Sequence, residues 1–206
     1  MDESRHYNTA IPLQLRILPK IFFMSRSITI LGAGLVGSLL SIILKKRGYQ
    51  VTIYERRPDM RTATIAAGRS INLAMSARGW KALDLAGLRT EMEALAIPMF
   101  GRYLHQADGS SASQQYGKNN EAIYSVSRGE LNKKLMTLAE QHGVEIHFEH
   151  RCTKVDVHEN RVHLQTEKGE EKIITADLLF GADGAFSALR TSYSFMDRVN
   201  AAHQYL

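Results

Sequence analysis

The sequence predicts an α/β domain, a doubly wound parallel sheet interrupted by a β-rich excursion. Three observations carry this expectation. Two short apolar, β-branched runs, Ser27–Leu31 and Gln50–Tyr54, flank a stretch with helical periodicity. The string Gly32-Ala33-Gly34-Leu35-Val36-Gly37 lies between the first run and that helix. Beyond residue 98 the apolar and turn residues are spaced as in a series of short strands. A strand–helix–strand unit makes its strands parallel, and a parallel sheet must be covered on both faces.

The elements follow in order. Ser27–Leu31 is apolar and ends in glycines, as a buried parallel strand does. Apolar residues then recur at helical spacing through Leu35, Leu39, Leu40, Ile43 and Leu44; the helix runs to Arg47, and Gly48 stops it before the strand Gln50–Tyr54. A looser segment, 56–69, leads into a strand at Ile71–Ala74. Ser76 is the N-cap of a helix that Gly87 ends, and a second short helix runs to about Ala96. Pro98 opens a change of texture, where Arg102–Gln106 and Ser111–Tyr116 flank the hairpin signal Asp108-Gly109. Ser127-Arg128-Gly129-Glu130 is a capping box before the helix Leu131–His142, which Gly143 closes. Glu145–His150, Thr153–Val157, Arg161–Thr166 and Lys172–Thr175 read as strands, the last pair joined by Lys168-Gly169. Asp177–Phe180 is an apolar strand ending at Gly181.

Composition narrows the function classes. A chain of 206 residues with 44% hydrophobic and 23% charged residues is ordinary for one globular domain. The net charge of +5 is scattered, and its densest cluster, Lys45-Lys46-Arg47, sits where a helix dipole favours cations. Nucleic acid is therefore not an expected partner. Cys152 is the only cysteine, so no internal disulfide forms and a reducing, cytoplasmic location is expected. The eight histidines lack metal spacing; His147, His150, His158 and His163 read as surface or packing residues on β segments, and no metal site is expected. Ile11–Met24 is broken by Arg16 and Lys20, is too short to span a bilayer and lacks a cleavage site. Residues 1–24 read as an extension outside the fold, with Met24 an alternative start, and 25–206 as the domain.

The glycine string matches G-x-G-x-x-G between a strand and a helix. Gly32 permits the tight turn, Gly34 lets backbone approach a pyrophosphate, and Gly37 allows close packing of helix on strand. Glu55 ends the second strand about twenty residues on, where a carboxylate accepts from ribose hydroxyls. Such a carboxylate disfavours a 2′-phosphate, although Arg56 and Arg57 follow it and can accept one. The spacing leaves FAD and NAD both open, and with them an NAD-binding dehydrogenase domain.

The segment Asp177 to Arg190 separates them. An apolar strand feeds Gly181-Ala182-Asp183-Gly184, followed by Ser187 and Arg190 at helical spacing. This resembles the Asp-Gly fingerprint of single-component flavoprotein hydroxylases, and the resemblance implies a Rossmann-like domain that binds FAD, with NADPH as a transient co-substrate.

Further motifs occur in one family's order: Gly68-Arg69-Ser70-Ile71-Asn72-Leu73-Ala74, Ile97-Pro98-Met99, Tyr116-Gly117, Ser125-Val126-Ser127-Arg128 and Leu131-Asn132-Lys133. Together with the two glycine motifs they resemble the kynurenine 3-monooxygenases over Ile28 to Leu206. By position, the resemblance implies FAD contacts at Val36, Tyr54, Glu55, Arg56, Arg57, Ala74, Arg128, Cys152 and Asp183. It implies substrate contacts at Arg102, whose planar fork suits a carboxylate, and at Tyr116. Arg128 is independently notable, because a cation in a helix's first turn opposes the dipole unless an anion faces it. Cys152 reads as a packing or backbone contact rather than a thiolate.

The implied chemistry hydroxylates L-kynurenine to 3-hydroxykynurenine with NADPH and O2. It needs no side-chain nucleophile, so no catalytic residue is expected. The family carries a further Gly-Asp-Ala motif and a C-terminal substrate domain, both expected beyond residue 206. This chain by itself is then expected to bind FAD weakly and not to turn over, which leaves a non-catalytic FAD-binding fragment as an alternative.

Overall fold

The structure is a computed structural model that describes residues 26–62 and 72–194. The chain begins with strand β1 (Ser27–Leu31), helix α1 (Leu35–Lys46) and strand β2 (Gln50–Tyr54). Then come β3 (Asn72–Met75), α2 (Ala77–Ala86), α3 (Arg89–Glu93) and β4 (Ala96–Met99). A hairpin, β5 (Gly101–His105) and β6 (Ser111–Gln115), precedes β7 (Ile123–Ser127) and α4 (Arg128–Gln141). The final part holds β8 (Glu145–His147), β9 (His150–Asp156), β10 (Arg161–Thr166), β11 (Glu171–Thr175) and β12 (Leu178–Gly181). A 3₁₀ turn, Gly184–Phe186, and a helical segment over 188–194 end the described chain.

Among the described residues the central sheet has the order β12-β1-β2-β8, and all its pairings are parallel. β1 is buried on both faces from Ile28 to Leu31, so Thr29, on the face opposite Ile28 and Ile30, is buried with them. On one face Ile28, Ile30, Val51 and Ile53 pack with residues of α1, α2 and α4 such as Ile42, Leu83 and Leu135. Each aliphatic side chain buried there contributes roughly 1.5–3 kcal/mol. On the other face Leu31 and Tyr54 pack with Val155, Val162 and Leu164. That second cover is the antiparallel sheet β11-β10-β9.

The parallel sheet with added strands matches the sequence expectation, and the cover on its second face is a finding of the structure: antiparallel strands stand where a doubly wound sheet carries helices. The β-rich excursion is three units, comprising that sheet, a β3-β7-β4 sheet and the β5-β6 hairpin. Pro98 lies within β4, paired with Tyr124, on a strand at the edge of its sheet. An edge strand tolerates proline because one row of its N–H groups needs no partner.

Smaller differences are local. The short helix expected to reach about Ala96 ends at Glu93, and Ala96 opens β4. Ser76 occupies the N-cap of α2 but makes no side-chain cap bond, whereas Gly87 closes that helix in the left-handed conformation at φ +65°. Only half of the capping box forms. Ser127 Oγ accepts from Glu130 N–H at 3.4 Å, and Glu130 Oε1 accepts instead from Lys133 Nζ at 3.1 Å. Helix α4 therefore begins at Arg128 rather than Leu131. The N-terminal extension, Met24 and most of the 68–74 motif lie outside the described residues. No helix among the described residues is long and apolar enough to cross a membrane.

β2 lies on one side of β1 and β12 on the other, so the strand order reverses direction at β1. In open α/β sheets such a reversal opens a crevice at the carboxyl ends of the strands. Ala182 N–H donates to Leu31 O at 2.8 Å, and Gly32 N–H donates to Tyr54 O at 2.8 Å, so three strand ends are fastened together around that crevice.

Candidate functional site: a nucleotide cradle at the strand ends

A cavity of about 450 Å³ occupies the crevice. Its walls include Gly32 and Gly34 from the glycine turn, Tyr54 to Arg57 from the end of β2, Arg128 from α4, Cys152 from β9 and Asp183 from the turn after β12. Nine of the residues proposed from sequence as cofactor contacts thus come together from five segments.

The three glycines do different work. Gly32 has φ +98°, and a Cβ there would lie 2.6 Å from Ala182 O. Gly37 is buried in the first turn of α1, and a Cβ there would collide with the Gly32 carbonyl. A Cβ on Gly34 would meet no protein atom within 4 Å, yet Gly34 lines the cavity. The space a Gly34 side chain would fill is therefore part of the cavity, which leaves room for the close backbone approach that a phosphate requires.

Glu55 is 6% exposed. Its Oε2 accepts from Ala33 N–H at 2.8 Å, and its Oε1 accepts from Arg57 N–H and Nε, both at 3.0 Å. The carboxylate therefore ties the glycine turn to the end of β2 while facing the cavity, and lone pairs remain for a ribose hydroxyl.

Arg128 is the first residue of α4, and its side chain pairs with no carboxylate among the described residues. Arg56, Arg57 and Arg151 also line the cavity, against two carboxylates, Glu55 and Asp183. Of these arginines Arg57 alone is in an ion pair among the described residues. The surplus positive charge suits a pyrophosphate. Arg128→Met is expected to weaken FAD binding about tenfold, the lower bound for a charge-assisted hydrogen bond of ~1.5–3 kcal/mol. Titration at two salt concentrations checks this: the variant's affinity depends less on salt, and an affinity within twofold of the parent would remove Arg128 from the cradle.

Asp183 Oδ2 accepts from Ala188 N–H at 2.8 Å, while its Oδ1 is buried without a hydrogen-bond partner among the described residues. A buried acceptor of this kind in a cavity wall fits a hydroxyl-bearing ligand. Together with Gly34 it meets the requirements of FAD, whose two halves are joined by a pyrophosphate and a polyhydroxyl chain.

Cys152 Sγ points back to Lys154 O at 3.7 Å. Burial, with a smaller contribution from the Asp183 charge, pushes its pKa up to about 11. The neutral thiol is the species at physiological pH, in line with a packing role.

His150, Arg151 and Thr153 line the cavity without any sequence signal for it. They arrive with β9, whose pairing with β10 shifts register at His163/Leu164. Phe186 is 87% exposed at the cavity rim. Within the wall, Tyr54 stacks on His147 at 4.9 Å and meets His150 at 5.8 Å. Burial raises the Tyr54 pKa, with the Glu145 charge adding to it. Burial also lowers the His147 pKa, against the opposing pull of Glu145, so this histidine packs as a neutral ring. His147 and His150 are packing residues as the sequence suggested, and His150 is also part of the cavity wall.

Other proposed residues lie outside this cavity. Val36, 68% exposed, lines a neighbouring open groove that shares Ala182, Asp183 and Gly184 with it. Gly37 packs, and Ala74 sits on β3 opposite Ser125. Arg102 and Tyr116 belong to the β5-β6 hairpin region. Arg102 pairs with Gln114, and Tyr116 N–H donates to Phe100 O at 2.9 Å, so Arg102 and Tyr116 lie diagonally on one face of the hairpin. No metal-binding cluster of His, Cys, Asp or Glu occurs among the described residues.

A parallel sheet with a glycine turn, a ribose-side carboxylate and an arginine-lined crevice at its switch point defines a dinucleotide-binding domain. The FAD binding domain family model matches residues 26–203, and the chain belongs to that family. It is 46% identical over 182 residues to a kynurenine 3-monooxygenase of Christiangramia forsetii, a match covering 88% of this chain and 40% of that protein. It is 40% identical over 183 residues to the Drosophila melanogaster kynurenine 3-monooxygenase, covering 88% of this chain and 39% of that one. The chain thus spans about 40% of the length of these relatives. Among solved structures it resembles p-nitrophenol 4-monooxygenase PnpA of Pseudomonas putida, with TM-score 0.67, 18% identity and coverage of 82% of this chain and 44% of that one. It also resembles the flavin-dependent monooxygenase PieE, with TM-score 0.68, 18% identity and coverage of 82% and 32%. These last two likenesses concern the fold.

Proposed function

We propose that this chain is the FAD-binding half of an enzyme that hydroxylates L-kynurenine at the ring carbon beside its amino group, consuming NADPH and O2. The observation that carries the proposal is its 46% identity to a kynurenine 3-monooxygenase across 88% of the chain. Bound FAD would supply the redox chemistry, taking hydride from NADPH and activating O2.

The chain's own residues then bind and orient. The glycine turn and Arg128 hold the pyrophosphate, Glu55 the adenosine ribose, and Asp183 the hydroxyls of the linking chain. Tyr54, Arg56, Arg57, Ala74, Val36 and Cys152 complete the cofactor contacts. Arg102 binds the kynurenine carboxylate. Its Nε donates to Gln114 Oε1 at 2.9 Å, which leaves the two terminal nitrogens as a fork for that carboxylate. Tyr116, on the same hairpin face, contacts the substrate beside it. The substrate's amino group donates electrons to the adjacent ring carbon, so the protein supplies position and a dry site rather than a nucleophile.

The alternative is a non-catalytic FAD-binding module. One experiment separates the two. The FAD-loaded chain is co-expressed with the C-terminal remainder of the Christiangramia forsetii protein, and NADPH oxidation is followed with and without L-kynurenine. Stimulation by L-kynurenine, with a product heavier by one oxygen, is the expected result. Bound FAD without stimulation would leave the module alone, and a colourless protein that protects NADH in competition would point to an NAD domain.

A further inference from the structure

Asn132, in the second turn of α4, is 6% exposed, an unusual burial for a carboxamide. Its Nδ2 donates to Met60 Sδ at 3.3 Å. Its Oδ1 is buried and has no hydrogen-bond partner among the described residues. The side chain lines a cavity of about 30 Å³ with Ala33, Glu55, Arg57 and Met60. A thioether accepts and does not donate, which assigns Nδ2 to Met60 and leaves Oδ1 as an acceptor.

Size and polarity together limit the occupant. A single water requires ~10–15 Å³ and two to four polar partners, so this cavity admits water and no organic ligand. Oδ1 needs a donor, since an unpaired buried acceptor costs about 1–3 kcal/mol. The Glu55 carboxylate is also an acceptor. A group that donates twice satisfies both, and water does.

We propose that one buried water donates to Asn132 Oδ1 and to the Glu55 carboxylate, which makes Asn132 a positioning residue for the adenosine ribose. The same carboxylate holds the glycine turn through Ala33 N–H at 2.8 Å. Asn132 lies one turn beyond Arg128 on α4. The water therefore joins the helix that presents a phosphate-binding arginine to the carboxylate that reads the sugar. This inference rests on the large crevice being the nucleotide site.

The test is isothermal titration of the 206-residue chain with ADP and with 2′-deoxy-ADP. The parent chain prefers ADP. Asn132→Leu is expected to cut that preference about fivefold, the scale of one hydrogen bond, by weakening ADP and leaving 2′-deoxy-ADP within about twofold. Asn132→Ser keeps a hydroxyl acceptor and room for water; it restores most of the preference and stands in if the leucine variant does not fold. A merely structural role would weaken both nucleotides alike, so a folded leucine variant with an unchanged preference overturns the proposal, as does a folded serine variant that loses the preference. A high-resolution crystal structure with Asn132 Oδ1 bonded directly to a protein donor would also overturn it. If the parent chain binds neither nucleotide, the reading of the large crevice fails together with this one.

Discussion

A Gly37→Ala chain melts about 6–12 °C lower than its parent and binds FAD about a hundredfold more weakly. The added methyl would run into the Gly32 carbonyl and lie 3.2 Å from the Ala182 Cβ. Neither neighbour can give way. Gly32 is held at φ +98° with its own Cβ position 2.6 Å from Ala182 O, and its N–H is bonded to Tyr54 O at 2.8 Å. Ala182 N–H is bonded in turn to Leu31 O at 2.8 Å. The only relief is for α1 to move off β1, which carries Gly34 away from the phosphate position. Overpacking of this kind costs up to about 3 kcal/mol, and in a chain of this size each kcal/mol lowers Tm by about 2–4 °C. Gly34→Ala is the control. Its Cβ meets no protein atom, so Tm stays within about 2 °C while FAD binding is lost to a similar extent. Calorimetry and flavin fluorescence measure the two effects separately. Equal melting losses in both variants would sink the distinction between a packing glycine and a ligand-facing one.

How much of this was legible follows from where each signal lies along the chain. Ser27–Leu31 and Gln50–Tyr54 match the observed strands residue for residue, because each is a short β-branched run bounded by a glycine, Gly32 after the first and Gly48 before the second. The glycine turn and Glu55 were readable because the phosphate and ribose they suit lie a fixed strand length apart. Arg128 was readable from a local conflict, a cation at the positive end of a helix. Arg151 and Thr153 were not, because nothing adjacent in sequence says that β9 passes the crevice. That depends on β9 pairing with β10 and covering the second face of the sheet, contacts made at long range. The antiparallel cover was missed for the same reason: apolar periodicity reveals that a face is buried, not what buries it. Asn132 stands out in the sequence only as part of a motif, since a polar residue in a helix discloses its burial only once Met60 and Glu55 are placed around it.

Glu55→Ala carries the other large effect and separates two roles that the carboxylate combines. As a strut, Glu55 satisfies the Ala33 N–H at 2.8 Å; without it that donor is buried and unpaired, a cost of about 1–3 kcal/mol. The lost bonds to Arg57 add little, because the Arg57 side chain is 58% exposed and a pair so open to solvent contributes less than about 1 kcal/mol. A fall in Tm of about 4–8 °C is the expected result, corresponding to about 2 kcal/mol at this chain length. In its proposed role as a ligand, Glu55 would make a charge-assisted bond to the ribose of ~1.5–3 kcal/mol, so ADP affinity is expected to fall about ten- to hundredfold. Glu55→Gln splits the two. Its amide oxygen can still accept from Ala33 N–H, so most of the melting temperature returns. Its side chain carries no charge and pairs more weakly with a ribose hydroxyl, so most of the loss in ADP affinity stays. A glutamine variant that recovers ADP affinity along with stability would show that Glu55 serves only as a strut, and would leave the sugar to be read by another group in the crevice.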